Sequence, residues 1–308
     1  MKISVVVPVY NEEENVQELH ARIASALERS PYDFEILFVD DGSRDRTLEI
    51  LRGIASADPR SIVVQLRRNY GQTPSMRAGI DHASGEVIVT MDGDLQNDPE
   101  DIQALVDRLN EGFDLVAGWR RNRQDAWMSR KLPSKIANWL IGKVVGLPIR
   151  DNGCSLKAYR AAVIKPTPLY SEMHRFIPAM VSSGGGRIAE VPVRHHPRLR
   201  GTSKYGISRT GKVLLDMVTV KMLVAFADRP LHWFSLLAVP PALLALAALA
   251  VQVFWLSGSG GPGHAVLLSV AALLGYLSLH MAMLGFLGEL VVRTGRSKPF
   301  RWFSRYGS

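Results

Sequence analysis

Asp92 and Asp94 stand two residues apart directly after an apolar run, Val87-Ile-Val-Thr-Met91. About fifty residues earlier, Asp40-Asp41-Gly42-Ser43 follows a second such run, Phe34-Glu-Ile-Leu-Phe-Val39. A third polar group, Pro8-Val-Tyr-Asn-Glu12, closes the run that begins at Ile3. Carboxylates gathered at one place repel each other, and a divalent metal removes that penalty. Asp92-x-Asp94 offers hard oxygen ligands suited to Mg²⁺ or Mn²⁺, and Gln96 adds a neutral oxygen. A metal held in this way can in turn hold a diphosphate. An Asp-x-Asp pair alone is more often an exposed acidic turn. Its place after a buried run, together with the Asp-Asp-Gly-Ser group at another run's end, favours the functional reading.

The elements that position these groups alternate between strand and helix signals up to about residue 118. The continuous apolar run Ile3–Val9 predicts a strand buried on both faces, and Phe34–Val39, Ile62–Leu66, Val87–Met91 and Leu115–Ala117 predict further strands. Between the first two, Glu12–Glu28 has helical spacing, with Val16, Leu19, Ile23 and Leu27 on one side. A second helix is predicted from about Asp45. This order argues for a mostly parallel sheet with helices on both faces. Ligands of such sheets bind at the carboxyl ends of the strands, which is where the acidic groups fall.

The chain has 308 residues, a formal charge of +8 and a pI near 9.7. Hydrophobic residues make up 47% and charged residues 21%, a composition that can bury a large core and is not that of a disordered chain. The positive balance points to an anionic partner: nucleic acid, a lipid surface or a phosphorylated substrate. Nucleic acid is disfavoured, because no aromatic platform interleaves the basic runs. A dinucleotide oxidoreductase is disfavoured too, since no Gly-x-Gly-x-x-Gly follows the first strand. Gly184-Gly-Gly186 reads as a loop. Cys154 is the single cysteine, so an internal disulfide is excluded and a reducing compartment fits. The N-terminus reads as a strand, not as a secretory signal.

From Pro230 to Gly288 the chain has no Asp, Glu, Lys or Arg. Two apolar runs, about 232–256 and 264–292, each exceed the ~20 residues that cross a bilayer as a helix. Arg209, Lys212, Lys221 and Arg229 precede the first; Arg293, Arg296, Lys298, Arg301 and Arg305 follow the second. The Gly/Ser-rich connection carries no positive charge, so both ends are expected on the cytoplasmic side. Amphipathic stretches at Ile136–Leu147 and Ile207–Ala227 suit a membrane interface. The expected division is a cytoplasmic catalytic domain over 1–206, an interfacial helix over 207–230, a two-helix transmembrane hairpin over 231–293 and a basic tail over 294–308.

The motifs Pro8-Val-Tyr-Asn-Glu12, Val39-Asp-Asp-Gly-Ser43 and Asp92-Gly-Asp-Leu-Gln96 resemble the nucleotide-sugar motifs of family 2 glycosyltransferases, which have the GT-A fold. Further likeness lies in Asn69-Tyr-Gly-Gln72, Arg121–Trp127, Gly153–Arg160, Gly201–Tyr205 and Leu287-Gly-Glu-Leu290. These narrow it to the polyprenyl-phosphate glycosyltransferases over nearly the whole chain. The resemblance implies a Rossmann-like GT-A domain and inverting sugar transfer from a nucleotide-sugar to a polyprenyl phosphate. UDP and undecaprenyl phosphate are the implied donor and acceptor groups. The lipid-linked product would serve cell-envelope glycan or lipid A modification at a bacterial inner membrane. A homotetramer is also implied.

By position, the resemblance places Pro8, Tyr10, Glu12, Val39 and Asp41 around the base and ribose. Asp92 and Gly93 would lie along the diphosphate, with Asp94 and Gln96, and Asp92 beside them, at the metal. Arg120 would meet a phosphate. Arg200 and Lys204 sit in a loop that closes over the donor diphosphate in the family, where both charges would stabilise the leaving group. Asp151 matches a segment in which some relatives carry an aspartate base, although Cys154 departs from the acidic version of that motif. Trp119, Glu172, His174 and Arg175 are expected near the sugar. A lipid phosphate is already largely ionised, its second pKa being ~6, so the nucleophile needs little help from a base.

Two rivals remain at this level. A processive polysaccharide synthase would carry Gln-x-x-Arg-Trp, and Arg301-Trp302 has no Gln at the needed spacing. A membrane-tethered signalling domain could use Asp40 and Asp41 as an acidic pocket, but leaves the Asp92–Gln96 group without a task.

Overall fold

The computed structural model describes residues 1–121, 149–169, 173–197, 218–219, 221–222, 226, 229–256 and 264–294. The chain divides into two compact units, the first within residues 1–220 and the second within 221–299.

The first unit is built on a seven-stranded sheet in the order β3-β2-β1-β4-β6-β5-β7. The strands are β1 Lys2–Val9, β2 Asp33–Asp40, β3 Ser61–Gln65, β4 Val87–Thr90, β5 Leu115–Trp119, β6 Lys157–Arg160 and β7 Ile188–Pro192. β1, β2, β3 and β4 pair with one another in parallel, as do β5 and β7; β6, wedged between β4 and β5, is antiparallel to both. Every predicted strand is present, with ends shifted by one or two residues. β6 and β7 carry too few apolar residues to be seen beforehand.

Period-two alternation explains the layers. Along β1, Ile3, Val5, Val7 and Val9 belong to a core shared with α1 (Val16–Glu28), α2 (Thr47–Ala57) and α4 (Asp101–Asn110). Ser4 and Val6 face the other side. There α3 (Gln72–His82) presses Gly79 so close that a Cβ would stand 2.4 Å from Val6 Cγ1 and 2.9 Å from Val39 Cγ2. Both faces of β1 are therefore covered, and its apolar residues are almost wholly buried. α1 begins later than its periodicity suggests. Glu12 is held by its backbone instead: its N–H bonds Thr47 Oγ1 at 2.8 Å, and its carbonyl accepts from Asn15 and Val16. α2 starts at Thr47, whose N–H and hydroxyl are both taken by Asp45 Oδ1. Among the described residues, this unit also holds short helices α5 (Ala161–Ile164) and α6 (Ile177–Ser183) and a 3-10 turn at Met173–Arg175.

The second unit contains two long helices, α7 (Pro230–Leu256) and α8 (His264–Thr294). Each is long and apolar enough to cross a bilayer. Most of their large side chains are exposed, among them Leu243, Phe254, Leu273 and Phe286, unlike the core helices of a soluble protein. They pack on each other through small residues: Gly285 lies against Phe234 and Leu231, Gly288 against Pro230, and Ser278 Oγ donates to the Ala238 carbonyl at 2.9 Å. Glu289 accepts from the Leu231 N–H and from Arg293 Nε. The amphipathic stretch at 136–147 lies outside the described residues, and so does most of 207–227.

At the amino end of the sheet, Glu35 is buried with four donors around it. Ser4 Oγ (2.6 Å), Ser84 N (2.7 Å), Ser84 Oγ (2.7 Å) and Lys2 Nζ (2.7 Å) all reach its carboxylate. Burial alone would raise its pKa, but these partners together hold it down at about 2. A carboxylate depressed on folding contributes stability above its ordinary pKa and loses it as pH falls through the folded value. Stability should therefore decline between pH 4.5 and about 2 in the wild-type chain. Glu35→Gln should lose about 2–3 kcal/mol at neutral pH and show a flatter acid limb, measured by chemical unfolding across this range.

Candidate active site

The register of the parallel strands brings the three polar groups together. Val9 is opposite Asp40, and Val6 is opposite Thr90, so β1, β2 and β4 end side by side. The chain reverses its winding here, with β2 and β3 on one side of β1 and β4 on the other. Such a switch point leaves a crevice at the carboxyl ends of the strands.

On the β2 side, Asp41 is buried, and its two oxygens accept the N–H groups of Tyr70 (2.8 Å) and Gly71 (2.9 Å). Burial is the strongest influence on it and raises its pKa, although both amides oppose the rise. Asp40, also buried, accepts from the Ser43 N–H and has a structural place. Asn11 sits at φ 51 and ties the two motifs: its N–H donates to Ser43 Oγ, and its Oδ1 accepts the Arg44 N–H. Pro8, Tyr10 and Glu12 are half-buried along this edge. The Val39 side chain is fully buried against Gly79.

On the β4 side, Gly93 lies on β1. A Cβ there would stand 2.8 Å from Val9 Cγ1 and 3.3 Å from the Pro8 carbonyl. Leu95 then adopts φ 60 with its side chain buried, a costly backbone for a branched residue that turns the chain sharply. Asp94 Oδ1 takes the Gln96 N–H at 3.2 Å inside this turn. Gln96 pairs with the 193–197 segment through His196 N–H, and an antiparallel bridge joins Asn97 to His195. Asp92 receives Gln72 Nε2 at 2.7 Å. Burial first, and the Asp94 charge second, push Asp92 up to about 6.

Behind these aspartates stands the segment that follows the undescribed residues 122–148. Arg120 grips Asp151 through Nε (2.7 Å) and Nη2 (3.0 Å), and its own N–H adds a third bond. Both partners are largely buried. Burial pushes the Asp151 carboxyl up, but the Arg120 guanidinium outweighs it and holds it below the usual range. In this setting Asp151 fixes the direction of the Arg120 guanidinium. Lys157 is buried as well, and its Nζ donates to the carbonyls of Cys154 and Asn152. Burial pulls its pKa down. Cys154 is buried and pushed up to about 11, so its thiol is inert. Ser155 Oγ bonds Asn97 Oδ1 at 2.8 Å and joins this segment to the acidic turn.

The structure thus brings together Pro8, Tyr10, Glu12, Asp41, Asp92, Gly93, Asp94, Gln96, Arg120 and Asp151. Arg200, Lys204 and Glu172 lie outside the described residues. Trp119 is covered by the Arg150 guanidinium, 4.5 Å from its ring centre. His174 is buried and shares a 2.7 Å hydrogen bond with Thr73 Oγ1. Gln72, Ser155 and Lys157 were not assigned site roles from sequence. Only their presence in the motifs Asn69–Gln72 and Gly153–Arg160 marked them.

The donor set is two carboxylates and an amide oxygen. Among the described residues no group of three or more His, Cys, Asp or Glu could hold a metal unaided. Mg²⁺ and its like are commonly bound through one or two carboxylates plus substrate phosphates, and this site fits that pattern.

Residues 4–167 match the family model described as Glycosyl transferase family 2. The chain is 44% identical over 301 residues to a dodecaprenyl-phosphate galacturonate synthase of Rhizobium johnstonii, covering 96% of this chain and 88% of that one. It is 37% identical over 294 residues to an undecaprenyl-phosphate 4-deoxy-4-formamido-L-arabinose transferase of Edwardsiella ictaluri, covering 94% and 89%. Among solved structures it is similar to glucosyl-3-phosphoglycerate synthase from Mycobacterium tuberculosis in complex with Mn²⁺, UDP and phosphoglyceric acid. That likeness has a TM-score of 0.56 at 22% identity and covers 72% of this chain and 78% of the other, enough to show the fold.

Removing the Asp151 carboxylate leaves a buried arginine unpaired. Asp151→Ala should therefore cost about 3–5 kcal/mol of stability, read as a lowered unfolding midpoint.

Proposed function

The chain belongs to glycosyl transferase family 2, and from that premise we propose that it moves a sugar from a UDP-sugar onto undecaprenyl phosphate with inversion, using a divalent metal. One observation carries the reading: Asp41, Asp92, Asp94 and Arg120 meet at one sheet crevice in a chain that also has two bilayer-length helices. The named relatives at 44% and 37% identity act on polyprenyl phosphates, which supports this acceptor class. A structural neighbour with Mn²⁺ and UDP supports the donor and metal classes.

In this reading the uridine lies along the β1–β2 edge by Pro8, Tyr10, Glu12 and Asp41. The diphosphate lies along Asp92 and Gly93, where Gly93 permits close backbone approach. Asp94, Gln96 and Asp92 hold the metal, which when bound offsets the charge of the departing UDP. Arg120, fixed in direction by Asp151, presents its guanidinium to a phosphate. Arg200 and Lys204 close over the donor. The acceptor phosphate arrives ionised, so no side chain need remove a proton. Trp119, Glu172, His174 and Arg175 set the choice of sugar.

The helices α7 and α8 form a hairpin that keeps the chain at the membrane, with both termini and the sheet domain on the cytoplasmic side. The flanking Lys and Arg residues and the uncharged 257–263 connection support this orientation. The product is a lipid-linked sugar for envelope glycan or lipid A modification, and assembly as a homotetramer belongs to the same proposal.

The test uses the full chain in detergent with undecaprenyl phosphate, Mn²⁺ or Mg²⁺ and a panel of UDP- and GDP-sugars that includes UDP-galacturonate. Chromatography should show a lipid-linked sugar with a UDP donor, and Asp94→Ala should lower its rate ~100-fold or more. Absence of product with every donor would contradict the reading.

A further inference from the structure

The turn Asn69-Tyr70-Gly71-Gln72 has no task in the reaction as described, yet it touches both ends of the crevice. Its backbone seats on the β2 end, where Tyr70 and Gly71 give their N–H groups to the two oxygens of Asp41. Gly71 turns the chain at φ 97, a backbone that favours glycine. Gly42, at φ 69, lets the Arg68 backbone approach: a Cβ there would stand 2.5 Å from the Arg68 carbonyl carbon. α3 begins at the next residue. No side chain caps its start, and the first side chain of the helix crosses to Asp92 Oδ1 at 2.7 Å.

That hydrogen bond spans two strands of the sheet, from the β3–α3 turn to the end of β4. An amide donor suits the place. A lysine would compete with an incoming cation for the carboxylate, and a carboxylate would repel Asp92. The neutral amide fixes one oxygen of Asp92 and adds no charge to the site.

We propose that Gln72 is a positioning residue that orients Asp92 for the metal and diphosphate, through a turn anchored on Asp41, so that the nucleotide end and the diphosphate end of the site are built as one piece. The inference rests on the donor-site reading above and adds to it a residue that acts through Asp92. Because the amide meets Asp92, at the diphosphate end of the site in this reading, its loss should spare whatever UDP affinity does not depend on metal. The metal-dependent part should suffer.

The full chain in detergent would be titrated calorimetrically with UDP, once in Mn²⁺ and once in EDTA, as wild type and as Gln72→Met and Gln72→Asn. Met keeps the length without the amide; Asn keeps the amide but falls one methylene short. Wild type should bind UDP more tightly in Mn²⁺. Both variants should bind UDP about 10-fold or more weakly than wild type in Mn²⁺, the loss of one hydrogen bond to a charged group, with unchanged affinity in EDTA. Unchanged EDTA affinity also reports that the turn is folded. Variants that keep the full Mn²⁺ gain, or that lose EDTA and Mn²⁺ affinity in parallel, would overturn the proposal. A wild-type chain with no Mn²⁺ gain would overturn the donor-site reading and this proposal with it.

Discussion

Asp92 and Asp94 repel each other at the end of a buried strand, and much of the surrounding structure serves to keep them there. Burial first, and the Asp94 charge second, raise Asp92 to about 6. Two buried cations, Arg120 and Lys157, lie close enough to counter it. Neither is a free surface charge: Arg120 is locked by Asp151, and Lys157 by two backbone carbonyls. Buried charges cost several kcal/mol each unless paired, so this balance is a design of the whole site and not of one residue.

The sheet supplies the geometry. Parallel register aligns the ends of β1, β2 and β4, and the reversal of winding at β1 opens the crevice between them. Close approaches then set the fine positions. Gly79 lets α3 lie directly on Val6 and Val39, and Gly93 lets the acidic turn lie on Val9. The left-handed Leu95 redirects the chain toward Gln96 and the 193–197 segment. Arg194 and His196 fasten that segment to Asp98, Glu100 and Asp101. The 193–197 segment is thereby tied to the acidic turn.

Much of this was legible in the sequence because burial on both faces leaves a plain signature. The runs Ile3–Val9 and Val87–Met91 could be little else, and the acidic groups at their ends followed. The charge-free stretch from Pro230 to Gly288 marked the two long helices for the same reason. β6 was not legible: Lys-Ala-Tyr-Arg reads as surface, yet Lys157, Ala158 and Tyr159 are all buried in this central strand. Period two sends the Val39 side chain to the α3 face, where it is buried against Gly79. Asp151 looked like an available carboxylate. Its partner Arg120 is 31 residues away, a pairing that no spacing rule reveals.

The central claim is that this crevice holds a nucleoside diphosphate through a metal on the Asp92–Asp94 turn. The most direct measurement is an anomalous difference map from crystals of the full chain grown with UDP and MnCl₂. The account predicts a manganese peak against Asp94 and the diphosphate, with the uracil beside Asp41. UDP bound away from the ends of β1, β2 and β4, or bound there with no manganese beside Asp92 and Asp94, would contradict it.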